Sequence, residues 1–257
     1  MGKRKYTKKQ VKKMILEFLV VLVIALIITT IESWDIDITE KINKIPLLSH
    51  IEVNTASNID LDTIPEYSGK AYIEINNNKP YFEESEYTTK AFEKYSELDS
   101  LGRCGVAYAN ICEELMPTGK RESIGSVKPS GWNNKSYPGL VDGDYLYNRC
   151  HLIGYQLAGE NANPKNLITC TRTMNAKTML EFENKVANYV KKTNNHVLYR
   201  VTPIYDGVNL LATGVTIEAS SVEDHCKDIC FNVFVYNVED GVKIDYKDGT
   251  STLVNEN

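Results

Sequence analysis

The clearest hydrophobic patterns in the chain predict strands. Three late segments are rich in β-branched and aromatic residues, as is typical of strands: residues 196–203, 210–218 and 229–238. The Asp206-Gly207 pair suits a turn between the first two of these segments. Further upstream, residues 71–75 alternate as a strand does, and we expect a short helix over residues 89–98. The late strands together predict an antiparallel meander.

Within residues 144–190 the hydrophobic period changes from that of a strand to that of a helix. We expect a strand over residues 145–153, a loop, a second short strand over residues 166–171 and a helix from Asn175. Four apolar residues predict the face that this helix turns to the core: Met179, Phe182, Val186 and Val190. Helices combined with a meander indicate an α+β fold with a mixed or antiparallel sheet.

The N-terminus carries a membrane signal. Residues 14–31 form an apolar run with one charge, Glu17, and the run is long enough nearly to cross a hydrocarbon core of about 30 Å. Because basic residues precede it, we expect residues 14–34 to be a transmembrane anchor, with tail 1–13 in the cytoplasm and the remainder extracellular. A cleaved signal peptide is the alternative, although no small-x-small site follows. Residues 35–64 are then a stalk, and residues 65–257 one globular domain.

Composition and charge narrow the class of protein. With 257 residues, 42% of them hydrophobic and 25% charged, the chain is typical of a globular protein. Its net charge of -5 argues against a nucleic-acid partner when it is averaged over the whole chain. Residues 101–200, however, hold 13 basic and 8 acidic side chains, a local charge of +5. This basic middle can attract a polyanion, although such a charge run is often only a solvated surface.

The chain has six cysteines, all beyond the apolar run. An exported domain makes disulfides possible, but the sequence does not distinguish among the many pairings. Cys226 and Cys230 are near enough to pair locally, and in an anaerobic organism reduced, packed thiols are the equal alternative. A zinc site has weaker support because the chain has no C-x₂-C pair.

The basic middle also contains the residues best suited to chemistry. On the predicted strand 145–153, Arg149 and His151 project to one face and Cys150 to the other. This alternation excludes a Cys150–His151 nucleophile and base pair, and it places a cation beside an imidazole, which suits an anionic substrate. Glu183 lies inside the apolar stripe of the helix, where an acid is costly unless it is hydrogen-bonded or functional. A partly buried structural histidine is the alternative for His151.

These residues resemble the site of the DNA/RNA non-specific endonucleases of the ββα-metal, or His-Me finger, class. The resemblance is carried by Arg149-Cys150-His151, Asn166, Asn175 and Glu183. The family motif Asp-Arg-Gly-His reads Asn-Arg-Cys-His here, so Asn148 and Cys150 depart from it. The segment YNRCHLIGYQLAGENANPKNL is similar to the bacterial membrane-bound DNA-entry nucleases, and the similarity extends over residues 64–244. The resemblance implies a ββα-metal finger at the active site of an α+β domain.

The resemblance also implies a role for each of these residues. His151 is the general base that deprotonates the attacking water, and Asn175 is the single protein ligand of a Mg²⁺ ion, for which Mn²⁺ can substitute. Arg149 stabilises the charge that develops on the phosphate or holds the phosphate. Asn166 positions His151 or the phosphate, and Glu183 orients water on the metal.

The sequence therefore predicts a membrane-anchored, extracellular, sugar-non-specific endonuclease that hydrolyses DNA and RNA with Mg²⁺. Arg103 and Arg172 are further candidate substrate contacts. The alternative is a non-catalytic nucleic-acid receptor for DNA uptake on the same fold. Intact His151 and Asn175 favour the enzyme, because binding alone requires neither. Another class of extracellular hydrolase lacks support, since the chain has no G-x-S-x-G or H-E-x-x-H motif.

Overall fold

The computed structural model describes residues 63–254 of the chain. The predicted tail 1–13, the anchor 14–34 and nearly all of the stalk 35–64 lie outside the described residues. Among residues 63–254, no helix has the length and apolar character needed to cross a membrane. The anchor and the stalk therefore stay predictions.

Strands dominate the architecture. In chain order, those of the described residues are β1 (Tyr72–Glu74), β2 (Phe92–Tyr95), β3 (Ala107–Ile111), β4 (Tyr147–His151), β5 (Leu167–Thr171), β6 (Val197–Ile204), β7 (Gly214–Ser221), β8 (Cys230–Tyr236), β9 (Val242–Ile244) and β10 (Ser251–Leu253). Six of them form one sheet in the order β1-β8-β7-β6-β3-β2, while β4 pairs with β5 and β9 with β10. The predicted α+β fold is confirmed, and every strand pair in this part of the chain is antiparallel.

One long helix lies near the middle of the chain. Helix α1 spans Tyr155–Ala158 and helix α2 spans Leu180–Thr193, and a π-helical turn, Met174–Met179, leads directly into α2. The expected helix from Asn175 is confirmed, with its first turn widened to the π form. Short 3₁₀ turns lie elsewhere in the described residues: Asn76–Asn78, Glu84–Glu86, Glu113–Leu115 and Pro164–Asn166.

The late strands predicted from the sequence form the centre of the sheet. Strands β6, β7 and β8 pair as consecutive antiparallel neighbours, which confirms the meander. Strand β7 begins at Gly214 rather than at Leu210, because residues 205–213 form the hairpin loop between β6 and β7. Gly207 takes a φ of 50° in this loop, a left-handed conformation that the predicted turn requires.

The helix expected over residues 89–98 is wrong, because this segment contains β2, which pairs with β3 at the edge of the sheet. Asn110 on β3 donates from its side-chain Nδ2 to the carbonyl oxygen of Thr88 at 2.6 Å. Phe92 meets Tyr108 of β3 edge to face, with ring centroids 4.9 Å apart. These cross-strand contacts outweigh a weak local preference for helix.

The main core lies between the sheet and α2. The β4–β5 hairpin adds Cys150, Ile168 and Cys170 to this core, which also receives the inward side chains of β3, β6, β7 and β8. A second, smaller core around Leu146 and Val242 holds the β9–β10 hairpin. The predicted helix stripe is buried in the main core, as expected: Met179, Phe182, Val186 and Val190.

Four cysteines form two disulfides. One links Cys150 on β4 to Cys170 on β5, and the other closes the turn between β7 and β8 through Cys226 and Cys230. Within residues 63–254, no group of three or more His, Cys, Asp or Glu side chains is placed to hold a metal ion, so the zinc alternative finds no support there. The two remaining thiols are buried: Cys104 and Cys112.

Candidate active site

The strand, loop, strand and helix expected from the sequence form one unit in which β4 is held at both ends. At its start, the Asn134 side chain exchanges two hydrogen bonds with the backbone of Tyr147, at 2.8 and 3.0 Å. Just beyond its end, the Asn166 side chain binds the backbone of Ile153 in the same way. The strand that ends in His151 is therefore fixed in position.

His151 is buried and is the last residue of β4. Its Nε2 lies 2.9 Å from the carbonyl oxygen of Asn161. Because a carbonyl oxygen only accepts, Nε2 carries the ring proton and Nδ1 keeps its lone pair. Burial, and after it the nearby Arg121 cation, holds the pKa of His151 below its ordinary value. The ring is therefore neutral at pH 7 and presents Nδ1 as a base.

Arg121 lies against this free nitrogen. Its Nη2 is 3.4 Å from Nδ1 of His151, and its Cζ is 5.9 Å from the ring centroid of Tyr155. Arg121 is exposed, and it forms no ion pair with any residue in the range 63–254. In the sequence, Arg121 is only one of the basic residues of the basic middle. Its loop shows no hydrophobic periodicity and no motif that would place it beside β4.

Arg149 lies two residues before His151, but its guanidinium is committed to a neighbouring loop. Its Nε donates to the carbonyl oxygen of Val127, and its Nη2 donates to that of Gly125 at 3.0 Å. Its Cζ lies 4.1 Å from the ring centroid of Trp132. Arg149 thus ties this loop to β4, and Arg121 rather than Arg149 presents the free cation beside His151.

Asn166 is fully buried, and both polar atoms of its side chain form hydrogen bonds with the backbone of Ile153. Oδ1 accepts from the backbone nitrogen of Ile153 at 2.9 Å, and Nδ2 donates to the carbonyl oxygen of Ile153 at 3.0 Å. The backbone oxygen of Asn166 also accepts from Leu152 at 2.9 Å. Asn166 therefore acts on His151 through the two residues that follow it, instead of by contact with the ring or a phosphate.

Glu183 is a half-buried residue in the first turn of α2, and its carboxyl group lies against Gly154. A Cβ atom at residue 154 would stand 2.7 Å from Oε1 and closer still to Oε2, so only glycine leaves room for this approach. Gln156 donates from Nε2 to Oε2 at 3.4 Å. Burial raises the pKa of Glu183 to about 7, although Gln156 and the Arg121 cation oppose the rise. The carboxyl group therefore titrates near neutral pH.

Asn175 is the second residue of the π-helical turn. Such turns are rare and are frequent at functional sites. The Asn175 side chain is half-buried, and its amide makes no hydrogen bond to another residue in the described part of the chain. The turn itself is anchored by Glu239, which accepts from the backbone nitrogen of Thr173 at 2.9 Å and from its Oγ1 at 2.6 Å. An amide oxygen on a fixed turn is thus free to bind a ligand.

The two arginines expected to be further substrate contacts are both paired. Arg103 lies 2.7 Å from Asp99, and its Nη1 donates to the carbonyl oxygen of Gly207 at 2.8 Å. Arg103 therefore joins two loops. Arg172 lies 3.2 Å from Asp142 in a pair that is open to solvent, and a phosphate could replace that partner at little cost.

The family model for DNA/RNA non-specific endonucleases matches residues 83–223, which is more than half of the chain. The matched range contains β4, β5, the π-helical turn and α2. The chain belongs to the DNA/RNA non-specific endonuclease family, and the resemblance in its sequence is confirmed.

Individual relatives agree with this family. A deoxyribonuclease of Streptococcus dysgalactiae subsp. equisimilis is 28% identical over 196 residues, and the match covers 60% of this chain but only 59% of that protein. The crystal structure of NucA from Streptococcus agalactiae, with a magnesium ion bound, is similar with a TM-score of 0.62 and 26% identity over 70% of this chain and 87% of that chain. The Sda1 nuclease with a bound zinc ion is similar with a TM-score of 0.61 and 25% identity, over 77% of this chain and 100% of that chain.

Proposed function

We propose that this protein is an endonuclease that hydrolyses the phosphodiester bonds of DNA and RNA without sequence preference. The observation that carries the proposal is the buried His151, whose Nε2 donates to the Asn161 carbonyl oxygen and whose Nδ1 faces the Arg121 cation. A base beside a cation suits attack by water on an anionic substrate. The family, the deoxyribonuclease relative and the two nuclease structures support the same reaction.

The chemistry follows from what a phosphodiester requires: a nucleophile, neutralisation of charge and help for the leaving 3′ oxygen. Nδ1 of His151 takes a proton from water as the water oxygen attacks phosphorus. The other ring proton stays on Nε2 and is donated in a hydrogen bond to the Asn161 carbonyl oxygen, which stabilises the imidazolium that forms. Arg121, 3.4 Å from Nδ1, is placed to neutralise charge on the phosphoryl oxygens.

A divalent metal ion fits the free amide of Asn175. Hard cations such as Mg²⁺ prefer oxygen ligands and keep several of their waters, so one amide oxygen together with substrate phosphates can suffice. Since no acidic or histidine cluster is placed to hold a metal in residues 63–254, Asn175 would be the main protein ligand. When bound, Mg²⁺, or Mn²⁺ in its place, would polarise the phosphate and stabilise the leaving oxygen. Glu183 would orient water there.

The substrate range follows from the kind of groups at the site. The Arg121 cation near His151 can contact phosphates, which DNA and RNA share. The basic middle of 13 basic and 8 acidic side chains supports attraction to the backbone. Phosphate contacts position a protein on nucleic acid but do not read its sequence. We therefore expect cleavage that is scattered along both DNA and RNA.

We infer that residues 14–34 anchor the catalytic domain outside the cell. The two disulfides support this location, because disulfides form and persist in oxidising compartments. Protease added to intact cells should remove the domain and leave a membrane-bound N-terminal fragment. Recovery of the bulk of the chain from the medium, beginning near residue 35, would argue against an anchor.

The direct test of the activity uses the full chain in detergent with supercoiled plasmid and with RNA, in Mg²⁺, in Mn²⁺ and in EDTA. Nicking and degradation of both substrates should depend on metal. The His151→Ala protein, purified in the same way, controls for contaminating nucleases. A wild-type protein that binds both nucleic acids but cuts neither in either metal would establish the receptor alternative instead.

A further inference from the structure

Arg121 reaches His151 from a loop that lacks regular secondary structure. Residues 119–122, here called the Arg121 loop, are exposed and belong to no helix or strand. The contact from Arg121 Nη2 to His151 Nδ1, at 3.4 Å, is too long to fix such a loop by itself. Other groups must therefore hold Arg121 beside His151.

Two hydrogen bonds bracket Arg121. On one side, the backbone nitrogen of Glu122 donates to Oδ1 of Asn161 at 2.8 Å. On the other, the hydroxyl group of Tyr155 donates to the carbonyl oxygen of Gly119 at 3.0 Å. Asn161 and Tyr155 both lie in the segment between β4 and β5, which also supplies the carbonyl oxygen that orients His151.

We propose that Asn161 is a positioning residue, whose side chain sets Arg121 beside His151 while its own carbonyl oxygen orients the imidazole. The proposal rests on the proposed function and adds a reason for asparagine at this position. Any residue supplies the backbone carbonyl, but only a side chain with an acceptor at the right reach supplies the bond to Glu122. Tyr155 is the second anchor of the Arg121 loop.

The two bonds of Asn161 can be separated by mutation. Because the bond to Nε2 of His151 comes from the backbone, a change of side chain leaves the tautomer of the neutral ring in place. Loss of the Oδ1 acceptor releases Glu122 and lets the Arg121 loop move. Arg121 then spends less time at Nδ1, so Asn161 acts on catalysis only through Arg121.

A double-mutant cycle tests this dependence on the full chain with DNA and Mg²⁺. Asn161→Ala should lower kcat/KM about 10-fold, and it should add less than about 2-fold in an Arg121→Ala background. Asn161→Asp, which keeps an acceptor oxygen, should recover most of the loss. Equal losses from Asn161→Ala in both backgrounds, or no loss in the parent, would overturn the proposal.

Asn163→Ala is the matched control. Asn163 lies in the same loop, and its Oδ1 accepts from the backbone nitrogen of Lys165 at 3.0 Å, so the mutation removes the same kind of bond away from the Arg121 loop. It should leave kcat/KM near the parental value. Tyr155→Phe provides a second variant if Asn161→Ala does not fold. The loss in kcat/KM that Tyr155→Phe causes should likewise disappear in the Arg121→Ala background.

An NMR titration of His151 without substrate tests the positioning role of Asn161 independently of nuclease activity. The pKa of His151, followed by NMR of its ring protons, should rise in Arg121→Gln because a nearby cation is lost. Asn161→Ala should raise it in the same direction, whereas Asn163→Ala should not. If the parent protein cuts no nucleic acid, the proposed function fails, and this titration still decides whether Asn161 holds Arg121 at His151. An unchanged His151 pKa in Asn161→Ala would reject the positioning role.

Discussion

The carbonyl oxygen of Asn161 decides which nitrogen of His151 can act as a base. It holds the ring proton on Nε2 and leaves Nδ1 toward Arg121. Burial and the Arg121 cation both disfavour the protonated ring. The same cation is attractive to a phosphate and lies where charge would develop. At the scale of single residues, one backbone carbonyl and one neighbouring arginine thus give an ordinary histidine its proposed role.

The pH dependence of activity should reflect this environment. Because burial holds the pKa of His151 below its ordinary value, the neutral base persists as pH falls, and the rate should decline only below the range in which an exposed histidine titrates. Arg121→Gln removes a charge that opposes protonation, so the acid limb of kcat/KM should move to higher pH. Since the pKa of Glu183 is about 7, both profiles are measured with Glu183→Gln so that the limb reports His151. If the acid limb of kcat/KM lies at the same pH with and without Arg121→Gln, the assignment of this limb to His151 is wrong.

A Cβ atom at residue 154 would stand 2.7 Å from Oε1 of Glu183, so the flexible carboxyl group must shift to admit a larger side chain. Gly154→Ala should displace the carboxyl group, lower the free energy of unfolding by about 1–3 kcal/mol and reduce turnover. Urea unfolding and kcat measure the two effects. In a Glu183→Ala background the same mutation should cost little stability. A full cost in that background would show that the crowding arises elsewhere.

At the scale of elements, several independent bonds hold the β4–β5 hairpin. Asn134 and Asn166 bind the two ends of β4 through their amide groups. The Cys150–Cys170 disulfide links the strands between these ends, with Cys150 directly before His151. This rigidity is useful because a catalytic group must be held close to its productive geometry.

Removal of the Cys150–Cys170 disulfide should therefore destabilise the domain. For a sequence separation of 20 residues, loop closure predicts a loss of about 3 kcal/mol in the free energy of unfolding when both cysteines become alanine. The Cys226–Cys230 pair, separated by 4 residues, is the internal comparison and should cost about 2 kcal/mol or less. Denaturant titrations of the two double mutants give both values. A larger cost for the shorter loop would contradict the central place given to the hairpin disulfide.

Long periodic segments were predictable from the sequence, and contacts between distant loops were not. The strands β6 and β8 and the buried stripe of α2 follow from their own patterns, as does the strand that carries His151. The helix predicted over the β2 segment was wrong because contacts with Asn110 and Tyr108 on β3 decide the conformation of this segment. Arg121 was missed because it meets His151 across 30 residues of sequence. Alternation placed Arg149 near His151, but it did not reveal that nearby carbonyl oxygens bind its guanidinium.

At the scale of the whole molecule, charge is unevenly arranged. The chain has a net charge of -5, yet the stretch that contains the site carries 13 basic and 8 acidic side chains. The basic middle attracts nucleic acid to the part of the chain that contains the site. Several of these cations are already engaged by carboxylates or carbonyl oxygens, as Arg103 and Arg149 are. Electrostatic attraction should therefore involve few phosphates.

Salt should weaken binding accordingly. The logarithm of the DNA association constant should fall linearly with the logarithm of salt concentration, and the slope should be shallow because few phosphates are contacted. Fluorescence anisotropy with the His151→Ala protein measures binding without cleavage. Arg121→Ala in that background should reduce the slope by roughly one. A steep slope that Arg121→Ala leaves unchanged would place the nucleic acid on another surface.

The most direct test of the central claim is the cleavage rate of the His151→Ala protein. Because His151 is the proposed base, its loss should lower turnover by about 10²–10⁴-fold, while DNA affinity stays near the parental value. Circular dichroism and thermal unfolding must first show that the buried imidazole was not needed for folding. A folded His151→Ala protein that cuts plasmid DNA at the parental rate would contradict the account.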